Sequence, residues 1–338
     1  MAKSAITVFV CFAPKDEELR DQLEEQLHSL KRQERITTKD YRSIEAGTEV
    51  EVQLEKYIDE AHIILLLLSP NFFNLDRCYS SLEKAVKHHQ AGKTRAIPII
   101  LRPVDWKNTP LGNFEVLPTD AVPVTRWSNN DEAFLNVVEG IRKVVNGLVL
   151  EKYEQEIVIH QKEVENNSND HVALRKLASA LQELAKLQKT NFSYEEAMLS
   201  YEEANAAYNK LIELEPNSYI ALSEQGSLLE KLNQPEQAAA SYEKALDIKP
   251  NDYILLSKNG SLQEKLGRHD KAITSYDKIL ELNQDNYVIW TQRGTVLINL
   301  GRYEEAIDSY NTALKIKPNY RAAKYHQRLA YRKMLNQH

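Results

Sequence analysis

Glu83 stands four residues after Tyr79 in the run Asp76-Arg-Cys-Tyr-Ser-Ser-Leu-Glu-Lys-Ala-Val86. On a helix that spacing puts a carboxylate and an aromatic ring on one face. A carboxylate held in a cleft can stabilise positive charge developing on a substrate; composition alone equally describes a solvated helix glutamate. A second group of residues falls at 37–51, a polar stretch read as a loop that contains Arg42 and Gly47. Glycine there permits backbone geometries close to a ligand or partner, or simply ends a loop. Metal chemistry finds little support: His88 and His89 are adjacent and diverge around a helix instead of converging on one ion. Cys11 and Cys78 are too few for a thiolate cluster or a disulfide framework, and read as reduced thiols. No phosphate-binding glycine fingerprint is present.

The elements that must position these residues alternate between strands and helices. Ala5-Ile-Thr-Val-Phe-Val-Cys-Phe12 is an apolar, β-branched strand, followed at 17–30 by a helix with leucines at 19, 23, 27 and 30 on one face. An amphipathic helix at 52–60 precedes Ile63-Ile-Leu-Leu-Leu-Leu68, whose continuous apolar character suits a central parallel strand ended by Ser69-Pro70. A helix at 79–89, a strand at 95–101 and a helix at 132–145 complete a parallel α/β domain with helices on both faces. The domain is expected over 1–147, followed by a charged helical linker over 148–170 that ends in Asn166-Asn-Ser-Asn-Asp170.

Beyond it the chemistry changes. Gly226, Gly260 and Gly294 recur every 34 residues, as do Tyr219, Tyr253 and Tyr287, while Pro216, Pro250 and Pro318 follow helical segments. Gln284 takes the place of the missing proline. Such a phase predicts a stacked helical solenoid over 171–338, with 172–187 and 194–214 as an atypical first pair and 322–335 as a capping helix. Its Leu/Ala stripes are packing surfaces.

Composition sets the outer limits. With 338 residues, 42% of them hydrophobic, the chain can form two cores without disulfides or metals. A net charge of -6 argues against a general nucleic-acid binder. The apolar runs at 6–12 and 63–68 are too short for a secretion signal or a bilayer span, so a cytoplasmic protein with no membrane or nucleic-acid partner is expected.

The N-terminal motifs together resemble a bacterial TIR (Toll/interleukin receptor) domain. The resemblance covers about residues 4–146 and rests on Val8-Phe-Val-Cys-Phe-Ala-Pro-Lys-Asp16, Arg42-Ser-Ile-Glu-Ala-Gly47, Ile63 through Phe72, Ile97-Pro-Ile-Ile-Leu-Arg-Pro-Val-Asp-Trp106, Pro110-Leu-Gly112 and Pro123-Val-Thr-Arg-Trp-Ser-Asn129. It implies a flavodoxin-like sheet, self-association, and in many bacterial members cleavage of the nicotinamide–ribose bond of NAD as substrate, with no separate cofactor. Carried over residue by residue, it assigns Glu83 as the catalytic carboxylate and Phe12, Arg42, Gly47 and Tyr79 as nucleotide-contacting residues. Phe12 also suits a core position, and Trp106 a structural anchor. The match has a second register: Glu83 is five residues after Cys78 and two before Ala85, and anchoring on Leu82, Ala85 and Val86 puts Ser81 at the catalytic position. One residue turns a helix by about 100°, so the direction of Glu83 relative to Phe12 and Arg42 decides between them.

The second half resembles tetratricopeptide repeats, on Gly226, Ala238, Tyr242, Ala245 and Pro250, their counterparts Gly260, Ala272, Tyr276, Ile279 and Gln284, and Trp290, Gly294, Ala306, Tyr310, Ala313 and Pro318. That resemblance implies a concave surface for a protein or peptide partner, with Lys258, Asn259 and Arg293 as candidate surface residues. The function that follows is an NAD-consuming, assembly-dependent effector controlled by its repeats, with a role in defence or stress signalling; the alternative is a noncatalytic TIR adaptor whose repeats recruit another protein.

Overall fold

A computed structural model describes residues 5–191 and 193–336 and divides the chain into two compact units, Met1–Lys152 and Tyr153–His338. The first unit runs β1 (Ile6–Cys11), α1 (Glu17–Gln26), α2 (His28–Arg32), β2 (Ile36–Lys39), α3 (Val50–Glu60), β3 (Ile63–Leu68), α4 (Pro70–Phe73), α5 (Asp76–Gln90) and β4 (Arg95–Ile100), and enters α6 (Asn130–Asn166). Its four strands form a parallel sheet in the order β2-β1-β3-β4.

The sheet is buried on both faces because alternate residues along each strand feed different cores. Val8, Val10, Leu65 and Leu67 pack against Leu19, Leu23, Leu27 and Leu30 and against Phe134, Val137, Val138 and Ile141 of α6. On the other face Phe9, Cys11, Ile64, Leu66 and Leu68 meet Leu54 and Ile58 of α3 and Leu82, Ala85 and Val86 of α5. This is the expected arrangement: a parallel-sheet domain followed by an all-α solenoid.

Three details differ from the sequence reading. Residues 37–39, expected as the start of a loop, instead join Ile36 in the edge strand β2, paired to β1 from Ile6↔Ile36 to Phe9↔Lys39. Only Ile36 of this strand is fully buried, so an edge position with one covered side leaves no apolar run to detect. The helix expected at 79–89 begins earlier, at Asp76, which places a carboxylate and Cys78 in its first turn. Finally, α6 continues through Gly147, where the sequence suggests a break; the glycine is accommodated in open surroundings, with nothing within 4 Å of where a Cβ would lie.

In the second unit α7 (His171–Asn191) pairs with α8 (Tyr194–Leu214), and then three pairs repeat: α9 (Tyr219–Lys231) with α10 (Pro235–Ile248), α11 (Tyr253–Lys265) with α12 (His269–Leu282), and α13 (Tyr287–Asn299) with α14 (Tyr303–Ile316). α15 (Arg321–Leu335) packs on α14 as the cap. Tyr242, Tyr276 and Tyr310 are fully buried, each with its ring against the glycine of the preceding helix. A Cβ at Gly260 would sit 2.7 Å from Tyr276 Cε1, and one at Gly294 2.8 Å from Tyr310 Cε1, so the glycine is what lets each aromatic helix approach.

Candidate functional site

The C-terminal end of β1 delivers Cys11 and Phe12 into a crevice that is closed by Tyr41 after β2 and by Arg77, Cys78 and Ser81 on α5. Phe12 is fully buried, its ring 4.8 Å from that of Tyr41. Arg42 and Arg20 place their guanidinium carbons 5.6 Å and 5.8 Å from the Phe12 centroid, and Arg77 lies 4.6 Å over Tyr41. Arg77 lines the crevice with the Phe12 and Tyr41 rings, while Arg20 and Arg42 sit over the Phe12 ring without lining it. The crevice volume is about 10 Å³, space for about one water. Burial, with Glu17 adding to it, pushes the Tyr41 hydroxyl above its usual pKa and keeps the phenol neutral.

Arg42 is held by acidic neighbours: its Nη1 donates to Glu17 at 2.8 Å and its Nη2 to Asp21 at 3.0 Å, while its backbone N–H caps onto Asp40 at 2.8 Å. Its charge is therefore already engaged. Gly47 has φ +89° and open space around a would-be Cβ, so the residue is required by the left-handed backbone and not by crowding.

α5 then sorts the two registers. Its buried residues are Cys78, Ser81, Leu82, Ala85 and Val86. Ser81 lines the crevice and donates to the Arg77 carbonyl at 2.8 Å. Glu83 lies on the exposed face of α5 and does not line the crevice. Tyr79 shares that outer face and is 38% exposed. The structure brings Phe12 and Arg42 together and leaves Glu83 and Tyr79 apart from them.

A polar knot beside the crevice escaped the sequence reading. Asp16, fully buried, accepts from Arg102 Nε at 2.8 Å and from Ser69 Oγ, tying the segments after β1, β3 and β4 together. Asp16 and Arg102 both lie inside the quoted motifs, yet no spacing rule links residues so distant in sequence. The larger hollow of this unit, about 950 Å³, is elsewhere, beside β4 and lined by His89, Arg95, Phe114, Leu117 and Lys143. None of the candidate residues reaches it. His89 accepts from the Ala96 N–H and His88 pairs with Asp59, so the adjacent histidines do diverge.

In the repeats a hollow of about 570 Å³ is lined by Lys186, Tyr219, Glu224, Lys231, Asp252 and Lys258, among others. Lys258 donates to Ser227 at 2.6 Å, and burial followed by the nearby Lys186 pushes Lys231 below its usual pKa. Asn259 and Arg293 behave differently from the expectation that they form part of the recognition surface. Asn259 is buried and reaches Ser275; Arg293 is mostly buried and joins Asp277 at 2.6 Å with Ser309 at 2.8 Å. With Gln225, which accepts from Ser241 at 2.8 Å, they form a polar ladder between paired helices, one residue before each ladder glycine. Their 34-residue phase marks packing, because only internal positions must repeat.

Residues 8–136 match the family model of the TIR domain, and residues 193–253, 260–286 and 287–320 match models of the tetratricopeptide repeat. The chain is an N-terminal TIR domain fused to C-terminal tetratricopeptide repeats. Among curated proteins this TIR-repeat chain is similar to the uncharacterized protein y4lF of Sinorhizobium fredii, 42% identical over 138 residues, 40% of this chain and 43% of that protein. It thus spans less than half the length of that relative. Among solved structures it is similar to the crystal structure of the MamA protein (20% identity, 46% of this chain and 82% of that one, TM-score 0.39). It is also similar to YrrB, described as a TPR protein with an unusual peptide-binding site (18% identity, 50% and 97%, TM-score 0.36). Among the described residues no helix is long and apolar enough to cross a membrane, and no group of three or more His, Cys, Asp or Glu side chains is placed to hold a metal.

Proposed function

We propose that this chain is a noncatalytic TIR signalling adaptor, in which the TIR domain self-associates and the repeats bind a protein or peptide partner. The observation that carries this reading is the direction of α5: Ser81 faces the crevice beside Phe12, while Glu83 faces solvent. Breaking a nicotinamide–ribose bond builds positive charge on the sugar, and a fixed anion beside it is the group the protein must supply. The Ser81 hydroxyl carries no charge and already donates to Arg77. A crevice of about 10 Å³ also holds no dinucleotide, for which hundreds of Å³ are usual. The partner-binding role rests on the repeat family together with the hollow lined by Lys186, Lys231 and Lys258.

A second reading, NAD hydrolysis at Glu83, is favoured by one specific feature. Glu83 and Tyr79 stand together on the outer face of α5, where a neighbouring TIR domain can complete a cleft around them. The test is to concentrate full-length protein until light scattering reports self-association, add NAD and measure free nicotinamide. An adaptor assembles and releases none; release by assembled protein overturns the adaptor reading.

A further inference from the structure

Cys11, the last residue of β1, and Cys78, in the first turn of α5, belong to one core and both line the crevice. These are the chain's two cysteines, far apart in sequence, and the fold buries both against the same crevice. Cys78 Sγ donates to the carbonyl oxygen of Phe12, the residue next to Cys11, at 3.5 Å, and each thiol acts on the titration of the other. Neither partner recognition nor nucleotide chemistry uses them.

We propose that Cys11 and Cys78 are a peroxide-sensitive dithiol, converted by hydrogen peroxide into a disulfide across the crevice. Cys78 supplies the thiolate by giving up the proton it donates to the Phe12 carbonyl. The neighbouring Cys11 thiol lowers its pKa below the usual 9.0, with help from the Arg77 guanidinium and against the effect of burial, whereas the neighbouring Cys78 and burial hold Cys11 up. The thiolate attacks one peroxide oxygen, the O–O bond breaks, and hydroxide leaves Cys78 as a sulfenic acid. The Cys11 sulfur then attacks that of Cys78; an S–S bond forms, the S–O bond breaks, and the leaving hydroxide departs with the Cys11 proton as water. Two electrons pass from the dithiol to peroxide. Access selects the oxidant, since a crevice of about 10 Å³ admits a molecule near the size of water and excludes a glutathione-sized one. The bond would pin the end of β1 to the start of α5, on either side of Phe12 and Ser81.

The test uses the full chain treated with hydrogen peroxide beside free glutathione as a reference thiol, read by intact mass and by a non-reducing peptide map. The expected result is the loss of two hydrogens and one cross-linked peptide pair containing Cys11 and Cys78, reversed by dithiothreitol. In a Cys11→Ser variant the reaction stops at the sulfenic acid, and dimedone present while the oxidised chain is unfolded in urea labels Cys78. The proposal is overturned by an unchanged mass once the glutathione is fully oxidised, by oxygen addition without a cross-link, or by disulfides only between chains. The wild-type mass decides the matter even where the variant misfolds, and no readout needs NAD or a partner, so the outcome is independent of the function proposed above.

Discussion

The tetratricopeptide repeats and the TIR domain both present side chains from one helix face to a closed interior, but they differ in how many times the same decision is made. In the repeats a tyrosine meets a glycine at Gly226, Gly260 and Gly294, each instance confirming the others' phase. In the TIR domain α5 makes one choice, Ser81 inward and Glu83 outward, with no second copy to check it. Periodicity therefore reports packing with certainty, whereas a single side chain's direction, on which chemistry depends, is set by tertiary contacts of Leu82, Ala85 and Val86.

The largest expected effect breaks the repeat side of this contrast. Tyr276→Ala empties a fully buried aromatic site that also bonds Glu264, and should destabilise the repeats by about 3–5 kcal/mol, measured as a shift in the urea midpoint by circular dichroism. Gly260→Ala approaches the same contact from the other side. Its Cβ would press on the Tyr276 ring, and the loss should be about 1–3 kcal/mol. In the TIR domain Gly47→Ala tests backbone strain alone, at about 1–2 kcal/mol, because its φ is positive and its surroundings are open.

A smaller effect depends on pH. His62 accepts the Thr7 N–H at 3.1 Å and His89 accepts the Ala96 N–H at 3.2 Å, both through Nδ1, so both must be neutral. Burial first, then Lys152 for His62 and Arg95 for His89, lowers each below the usual 6.5. The unfolded chain therefore binds more protons in this range. The stabilisation is fully present above pH 6.5 and is lost as pH falls from there toward the lowered values. His62 is only partly buried, so solvent screening keeps its share below ~1 kcal/mol. A His62→Ala, His89→Ala double variant should flatten the pH dependence of the TIR melting transition. Smallest of all, Glu83→Ala should change stability by less than about 0.5 kcal/mol, as expected of an exposed side chain.

How much was legible in the sequence follows from the same contrast. The alternation of helices with three of the strands, the buried Ile63–Leu68 strand and the repeat tyrosines Tyr242, Tyr276 and Tyr310 can be read because each belongs to a period or a continuous run. β2 cannot, since an edge strand reading Ile-Thr-Thr-Lys lacks an apolar signature. Asn259 and Arg293 look like recognition residues by type and are internal by position, which burial reveals and composition does not. Phe12 and Arg42, which the motif match assigns to one site, lie 5.6 Å apart from ring centroid to guanidinium carbon, but the knot of Asp16, Ser69 and Arg102 depends on three chain segments meeting. Glu83 is the hardest case: the two registers differ by a rotation that leaves the composition of α5 untouched.

That rotation is also where the account is most exposed to test. Free nicotinamide should be measured after incubating NAD with wild-type full-length protein and with Glu83→Ala, both at concentrations where light scattering shows assembly. The adaptor reading predicts no nicotinamide above the protein-free control from either protein. Turnover by the wild type that disappears in Glu83→Ala would contradict it and place catalysis on the outer face of α5.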